Sequence, residues 1–332
     1  MLNGWNIRND TIGIHMTNPN ISIVIPLYNE EDNVAPLLAA VRDAMEGSTY
    51  ELILVDDGSS DKTVANVETE QDPNVKLVVF ARNFGQTSAI AAGIEEAKGT
   101  YIVTMDGDLQ NDPADIPLML EKLKKEKLDV VVGFRANRKD GMVLRKIPSK
   151  IANWLIRATT KVNVSDYGCT LKLFKKNVAK NLDLYGELHR FIPILSQIYG
   201  AKLAEMPVRH HPRIYGTSKY GIGRTIRVMS DLLLMIFFLK YRQRPMHLFG
   251  TMGVLSMGGG GLIALYLMLE KIMGHDIADR PIFYVGILLI LMGAQFITAG
   301  FLSELIMRTY FESQNKKPYM IARRIQTESQ AA

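Results

Sequence analysis

The sequence Thr100-Tyr-Ile-Val-Thr-Met-Asp-Gly-Asp-Leu-Gln110 joins an apolar, β-rich run to two carboxylates spaced one residue apart. Extended backbone points residues i and i+2 to the same side, so Asp106 and Asp108 are expected to face one ligand. Paired carboxylate oxygens at a strand tip suit a divalent cation such as Mg²⁺ or Mn²⁺. A polar turn that only caps a strand is the competing interpretation, and the surrounding sequence favours the cation.

The composition excludes several classes of protein. A single cysteine, Cys169, rules out an intrachain disulfide and a cysteine-based zinc cage. The formal net charge of +5 is modest, and no aromatic-basic interleaving or other nucleic-acid motif is present, so we expect no nucleic-acid partner. Residues 1–20 are polar without an apolar core, which predicts a flexible leader and no signal peptide.

Apolar runs alternate with helix-like spacing from Ile21 onward, which predicts an α/β domain. The expected strands begin near Ile21, Glu51, Lys76, Thr100 and Asp129. This rhythm is typical of a mostly parallel, doubly wound, Rossmann-like sheet, in which ligands bind beyond the carboxyl ends of the strands. No Gly-x-Gly-x-x-Gly or Walker lysine follows the first strand, which argues against dinucleotide and P-loop sites. Seven polar residues fall at the predicted ligand edge: Asp56, Asp57, Arg82, Asn83, Asp106, Asp108 and Arg135.

The C-terminal third has a different composition. Residues 249–269 and 281–305 are long and largely uncharged, which predicts two transmembrane helices. Residues 224–239 are amphipathic, which favours a helix in the membrane interface over a buried soluble helix. Cations flank the spans on one side, so the positive-inside rule places the N-terminal domain and the tail in the cytoplasm. The predicted domains are a leader (1–20), a catalytic domain (21–222), an interfacial helix (223–245), a two-helix hairpin (246–307) and a tail (308–332).

Five motifs in order, followed by two spans, resemble the family 2 glycosyltransferases that charge polyisoprenyl phosphates. The motifs are Pro26-Leu-Tyr-Asn-Glu30, Asp56-Asp-Gly-Ser59, Arg82-Asn-Phe-Gly85, Asp106-Gly-Asp-Leu-Gln110 and Gly216-Thr-Ser-Lys219. The segments from Arg82, Asp166 and His189 are most similar to the branch that transfers 4-deoxy-4-formamido-L-arabinose to undecaprenyl phosphate. Two departures are Gly107, where relatives usually have Ala, and Cys169-Thr170, where some relatives carry an acid proposed to act in catalysis.

The resemblance implies a GT-A fold, a nucleotide-sugar donor (UDP favoured), a polyisoprenyl phosphate acceptor and Mg²⁺ or Mn²⁺. It implies inverting transfer at the bacterial inner membrane by a multi-pass homo-oligomer, with tetramers suggested. It assigns the metal to Asp106, Asp108 and Gln110, and it leaves Asp166 as a further catalytic candidate. Donor binding is assigned to Pro26, Tyr28, Glu30, Asp56, Asp57, Arg82, Asn83, Arg213 and Lys219, with Asp57 accepting a hydrogen bond from the base. The acceptor phosphate is assigned to Arg135, Arg145 and Ser149.

Other interpretations stay open at this stage. Transfer of glucose or mannose to a polyisoprenyl phosphate fits the same motifs, whereas a processive polysaccharide synthase is disfavoured because a Gln-x-x-Arg-Trp motif is missing. A non-catalytic membrane scaffold would not need both metal aspartates. Individually, Asp56, Asp57 and Arg135 also suit simple turn or strand-end roles, and Asp166 suits a turn cap.

A polyisoprenyl phosphate is already anionic near neutral pH, so its oxygen needs positioning more than deprotonation.

Overall fold

The computed structural model describes residues 19–136, 164–182, 184, 188–198, 200–213, 237, 241, 244–277 and 280–313. These residues form two compact units, one ending at Arg213 and the other beginning at Phe237. Almost all of the predicted leader and interfacial helix, and most of the predicted tail, lie outside the described residues. So do three predicted site residues, Arg145, Ser149 and Lys219.

The first unit is built on a seven-stranded sheet. Its strands are β1 (Ile21–Leu27), β2 (Tyr50–Asp56), β3 (Val75–Val79), β4 (Tyr101–Thr104), β5 (Val130–Phe134), β6 (Lys172–Lys175) and β7 (Leu203–Pro207), arranged in the order β3-β2-β1-β4-β6-β5-β7. Every neighbouring pair is parallel except those made by β6, which runs antiparallel between β4 and β5. The predicted mostly parallel sheet is confirmed.

Helices cover the sheet and close its core. They are α1 (Val34–Ala44), α2 (Thr63–Thr69), α3 (Gln86–Glu96), α4 (Ile116–Lys125), α5 (Lys176–Ala179) and α6 (Ile192–Ile198), with 3-10 turns at Pro113–Asp115 and Leu188–Phe191. The buried face of α1 consists of Val34, Leu37, Leu38 and Val41, the spacing of an amphipathic helix. Each fully buried aliphatic side chain of this kind contributes about 1.5–3 kcal/mol. The same core anchors β1 and β4, whose carboxyl ends carry the candidate site.

The second unit is a hairpin of two long helices, α7 (Pro245–Ile272) and α8 (Pro281–Ser313). Both are long and apolar enough to cross a membrane. Glycines allow the helices to approach closely: a Cβ at Gly253 would lie 2.8 Å from the carbonyl oxygen of Gly293, and one at Gly260 would lie 2.7 Å from that of Gly286. Many of the large apolar side chains on both helices are exposed, as a lipid-facing surface requires.

Candidate active site

The candidate site lies at the edge of the sheet where the parallel strands end. Asp56 is the last residue of β2, Asp106 follows β4, and Arg135 follows β5. Because β6 runs in the opposite direction, the segment from Asp166 to Leu171 that enters it reaches the same edge. Acidic and basic side chains from separate parts of the chain therefore meet where doubly wound sheets bind their ligands.

Asp106 and Asp108 lie in a polar turn after β4. Asp106 Oδ1 accepts a 2.7 Å hydrogen bond from Nε2 of Gln86, the first residue of α3. Asp108 is buried, and its Oδ1 accepts a 3.2 Å hydrogen bond from the backbone N–H of Gln110. The other oxygen of Asp108, Oδ2, lies 2.6 Å from Nη2 of Arg213. The structure thus brings four of the predicted metal and donor residues into one cluster.

The two carboxylates repel each other. Burial raises the pKa of Asp106 to about 6, and the negative charge of Asp108 adds to the rise. A hydrogen bond with Thr170 and the positive charges of Lys172 and Arg135 act in the opposite direction without cancelling it. Ionisation of Asp106 is therefore disfavoured by burial and by the adjacent carboxylate, and a bound cation would favour its ionised form.

The oxygen donors fit a cation shared between protein and ligand. Within the described part of the chain, no three His, Cys, Asp or Glu side chains cluster closely enough to hold a metal by themselves. The strand tip offers Asp106, Asp108 and the amide of Gln110. Mg²⁺ is typically held by one or two carboxylates and completes its shell with waters and substrate phosphates, and Mn²⁺ favours the same oxygen ligands. The donor set therefore suits a metal that binds together with a phosphorylated substrate.

Arg135 and Asp166 form a two-point ion pair at the same edge of the sheet. Arg135 Nε lies 2.6 Å from Asp166 Oδ2, and Nη2 lies 2.9 Å from Oδ1. The two side chains are only 13 % and 16 % exposed. The sequence assigned them to separate roles, acceptor binding and catalysis, whereas the structure joins them in one unit.

Asp56 and Asp57 have different surroundings although they are adjacent. Asp57 accepts hydrogen bonds from the backbone N–H groups of Phe84 (2.7 Å) and Gly85 (2.9 Å), so it holds the loop before α3. Burial raises the pKa of Asp57, and those two hydrogen bonds oppose the rise. Asp56 is 1 % exposed; its Oδ2 accepts from Ser59 N, while its buried Oδ1 has no hydrogen-bond partner among the residues that the structure describes. Asp56 is thus the acid with acceptor capacity left for a ligand.

The loop after β1 is fastened to the loop after β2. The backbone N–H of Asn29 donates to Ser59 Oγ at 2.9 Å, and Ser60 N donates to Asn29 Oδ1 at 2.8 Å. Tyr28, at 37 % exposure, and Glu30 flank this junction. The predicted donor residues in and after β1, which are Pro26, Tyr28 and Glu30, therefore lie beside Asp56 at the end of β2.

Arg82 and Asn83 lie at the exposed rim of the site. The Arg82 guanidinium stacks on the ring of Phe84, 4.2 Å from its centroid. Gly58 approaches this loop so closely that a Cβ would lie 2.4 Å from the carbonyl carbon of Arg82. The structure connects these two predicted residues to the Asp57 loop and does not bring them to the Asp106–Asp108 turn in any described contact.

Four residues around the site were not predicted. Gln86 contacts Asp106, as described above. Lys172 is 2 % exposed, its pKa is lowered by burial, and its Nζ donates to the carbonyl oxygen of Cys169 at 2.5 Å. Buried Thr87 and His189 form a 2.7 Å hydrogen bond through Thr87 Oγ1 and His189 Nδ1. Gln86 directly follows a motif used for the resemblance, but Lys172 lies in an alternating stretch that gave no signal of burial.

Comparison with known proteins identifies the family. The sequence profile described as glycosyl transferase family 2 matches residues 22–183. A dodecaprenyl-phosphate galacturonate synthase from Rhizobium johnstonii is 47 % identical over 94 % of both chains. An undecaprenyl-phosphate 4-deoxy-4-formamido-L-arabinose transferase from Salmonella paratyphi B is 36 % identical over 93 % of this chain and 94 % of its own.

The fold also matches a solved structure. A crystal structure of glucosyl-3-phosphoglycerate synthase from Mycobacterium tuberculosis, in complex with Mn²⁺, UDP and phosphoglyceric acid, superposes with a TM-score of 0.51 at 18 % identity. The match covers 66 % of this chain and 78 % of that one. The predicted GT-A fold class and the predicted family are both confirmed. The chain belongs to the family 2 glycosyltransferases.

Proposed function

We propose that the protein transfers a sugar from a nucleotide-sugar donor to the phosphate of a polyisoprenyl phosphate, with inversion at the anomeric carbon. The observation that carries the proposal is the Asp106–Asp108 turn, which places two carboxylates after β4 with Arg213 2.6 Å from Asp108. The names of both relatives describe the attachment of a sugar to a lipid phosphate, and this chain aligns with them over nearly its whole length.

On the donor side, Asp56 is our candidate for recognising the base. Its buried Oδ1 has no partner within the described residues and can accept a hydrogen bond from the imide N–H of uracil. Pro26, Tyr28 and Glu30 would frame the nucleoside, whereas Asp57 would shape the loop rather than contact the base. Arg213 would bind the diphosphate, with Lys219 as its predicted partner.

A divalent cation, Mg²⁺ or Mn²⁺, would be held by Asp106, Asp108 and Gln110, and when bound it would neutralise charge that develops on the leaving diphosphate. The protein's own cations act on the same charge: Arg213 on the donor diphosphate and Arg135 on the acceptor phosphate. Because both substrates are anionic, these arginines also lower the repulsion between them. The acceptor oxygen is already ionised near neutral pH, so positioning it in line with the anomeric carbon is the main requirement.

The sugar and the location follow from the relatives and from the hairpin. Galacturonate and 4-deoxy-4-formamido-L-arabinose are the first candidates, because the two relatives carry these sugars in their names. We place α7 and α8 across the bacterial inner membrane, with the catalytic unit in the cytoplasm, where nucleotide sugars are made. The product would then serve cell-envelope synthesis.

The test is a transfer assay on the full chain in detergent or nanodiscs. UDP-galacturonate, UDP-4-deoxy-4-formamido-L-arabinose, UDP-glucose and GDP-mannose are each supplied with undecaprenyl phosphate, and both the released nucleotide and the labelled lipid are measured. We expect one donor to give lipid-linked sugar with Mg²⁺ or Mn²⁺, and none with chelator. Cation-independent transfer would remove the metal assignment, and absence of lipid product from every donor would contradict the function.

A further inference from the structure

A cavity of about 580 Å³ lies at the edge of the sheet opposite to the candidate active site. Its walls come from the segment after α3, the start of β4, the end of β6 and the region of α5, and they include Lys98, Tyr101, Lys175, Lys176 and Lys180. The lining residues that the structure describes comprise four lysines and no Asp or Glu. The volume falls within the range of small-molecule sites, and the lysines favour an anion.

Two of the four ammonium groups are held by neutral acceptors. Lys176 Nζ donates to the carbonyl oxygen of Lys98 at 3.0 Å, and Lys180 Nζ donates to that of Glu95 at 2.5 Å. These contacts fasten the region of α5 to the carboxyl end of α3, where cations also suit the helix dipole. A carbonyl takes one of the three hydrogens of an ammonium and does not cancel its charge, so both groups are fixed in place and can still bind an anion.

Only one of the four lysines has a carboxylate partner within the described part of the chain. Lys175 Nζ lies 2.7 Å from Oδ1 of Asp129. Glu96, on the last turn of α3, pairs with Lys76 of β3 instead. The other three lysines therefore bring positive charge to the cavity that no described carboxylate in contact with them neutralises.

The lysines also repel one another. Burial lowers the pKa of Lys180, and the positive charge of Lys176 lowers it further. Nearby carboxylates oppose this fall without cancelling it; they belong to Glu95, Glu96 and Glu51. An anion bound between the two ammonium groups would favour their charged forms.

The half-buried ring of Tyr101 adds an apolar surface to the cavity, and Lys124 Nζ lies 5.6 Å from the centroid of that ring. We propose that the cavity binds a small soluble molecule that carries a di- or triphosphate, such as a nucleotide. Three ammonium groups suit a chain of phosphates, and the aromatic ring suits a planar base beside them.

The choice of a soluble phosphate over a lipid headgroup rests on the proposed function. A lipid acceptor must reach the carboxyl ends of the parallel strands, where the candidate active site lies. The cavity lies at the amino end of β4, at the far edge of the sheet from that acceptor.

The test is isothermal titration calorimetry of inorganic triphosphate into the full chain in detergent, in metal-free buffer. We expect one site whose affinity falls as salt is added. The double variant Lys98→Gln/Lys176→Gln should weaken binding at least tenfold, because each lysine supplies a charge-assisted contact. The matched control, Lys122→Gln/Lys125→Gln, removes the same charge from α4 outside the cavity and should leave the affinity unchanged.

A single variant guards against an effect of misfolding. The Lys98 side chain makes no hydrogen bond or ion pair with the residues that the structure describes, so Lys98→Glu should weaken binding without lowering the unfolding midpoint. Normal binding by Lys98→Glu, or no binding by the wild-type chain, would overturn the inference. Arg213→Gln should keep the affinity, because Arg213 lies in the active site; loss of binding in that variant alone would place the anion there instead.

Amide hydrogen exchange locates the site directly. In phosphatidylcholine nanodiscs, triphosphate should slow exchange in peptides that cover residues 97–101 and 175–180. The same slowing on addition of phosphatidylglycerol without triphosphate would assign the cavity to a lipid headgroup and overturn the choice of a soluble ligand. Neither measurement involves sugar transfer, so a chain that binds triphosphate here and transfers no sugar would contradict the proposed function alone.

Discussion

Replacing Asp106 by Asn should make the protein more stable at alkaline pH while it abolishes transfer. The reason is the raised pKa of Asp106, caused first by burial and second by the charge of Asp108. A carboxyl whose pKa is higher in the folded state opposes folding once it ionises. Wild-type protein therefore carries a stability penalty above about pH 6, which disappears below the ordinary pKa of 3.8.

The size of the gain follows from the pKa. A change from 3.8 to about 6 corresponds to about 3 kcal/mol between the ionised and neutral forms. Asp106 is only partly buried in the folded chain, so solvent screens some of this energy, and we expect about 1–2 kcal/mol. For a unit of this size that is a rise of about 3–6 °C in the unfolding midpoint. Asn retains the oxygen that accepts from Gln86, so the local contact survives.

The assay is thermal unfolding of the full chain in detergent, with chelator present, at intervals from pH 4 to pH 8.5. The midpoint of Asp106→Asn should exceed that of wild type at pH 8 and converge with it near pH 4. At pH 8, Mg²⁺ or Mn²⁺ should raise the wild-type midpoint and leave the variant unchanged.

Asp129 provides a control of opposite sign. Burial acts to raise its pKa, but hydrogen bonds from Lys175 and from the backbone of Lys202 outweigh burial, so the pKa is lowered. Asp129→Asn should therefore destabilise the protein at pH 8, with the loss fading as the pH falls through the lowered pKa. Equal midpoints for Asp106→Asn and wild type at pH 8, or a gain independent of pH, would refute the electrostatic account of the site.

Three further predictions concern other parts of the molecule. Arg213→Gln should tighten binding of Mn²⁺ alone several-fold, because Arg213 lies 2.6 Å from Asp108 and competes with a cation there. The same substitution should raise the KM for the nucleotide sugar, and an unchanged Mn²⁺ affinity by titration would contradict this prediction. Gly58→Ala should reduce transfer at least tenfold with little change in the KM for the acceptor. Gly58 has φ 71°, and a Cβ there would displace the loop that carries Arg82. Near-normal kinetics would disprove the role given to this loop. Gly293→Leu should destabilise the helical hairpin by about 1–3 kcal/mol, because a Cβ there would lie 2.7 Å from the carbonyl oxygen of Gly253. Gly261→Leu serves as the control, because a Cβ at Gly261 meets nothing within 4 Å. Equal protease resistance of the two variants would argue against this packing of the helices.

Much of the fold was predictable because its signals are local. Runs such as Ile21–Leu27, followed by helical spacing in α1, each reflect burial within one element. The rule that ligands bind at the carboxyl ends of parallel strands then placed Asp56, Asp106 and Arg135 at one edge before any contact was known. Length and the absence of charge were enough to predict α7 and α8 as candidate spans.

The rest depends on contacts between residues far apart in sequence. β6 follows a long connection and inserts antiparallel between β4 and β5, which no local pattern shows. Lys172 resembles a solvent-facing strand residue, and only its neighbours on β4 and β5 reveal that it is buried. The pairing of Arg135 with Asp166, 31 residues apart, likewise required the structure. The exchange of roles between Asp56 and Asp57 depends on which carboxylate the loop at Phe84 engages.

The most direct test of the central claim is electron paramagnetic resonance of Mn²⁺ bound to the full chain with UDP, with detection of hyperfine coupling to ³¹P. The account predicts bound Mn²⁺ that is coupled to the diphosphate in the wild-type protein. It predicts loss of that signal in Asp106→Asn and in Asp108→Asn, while Asp129→Asn retains it. An unchanged ³¹P coupling in both aspartate variants would contradict the account, because the cation would then be held elsewhere.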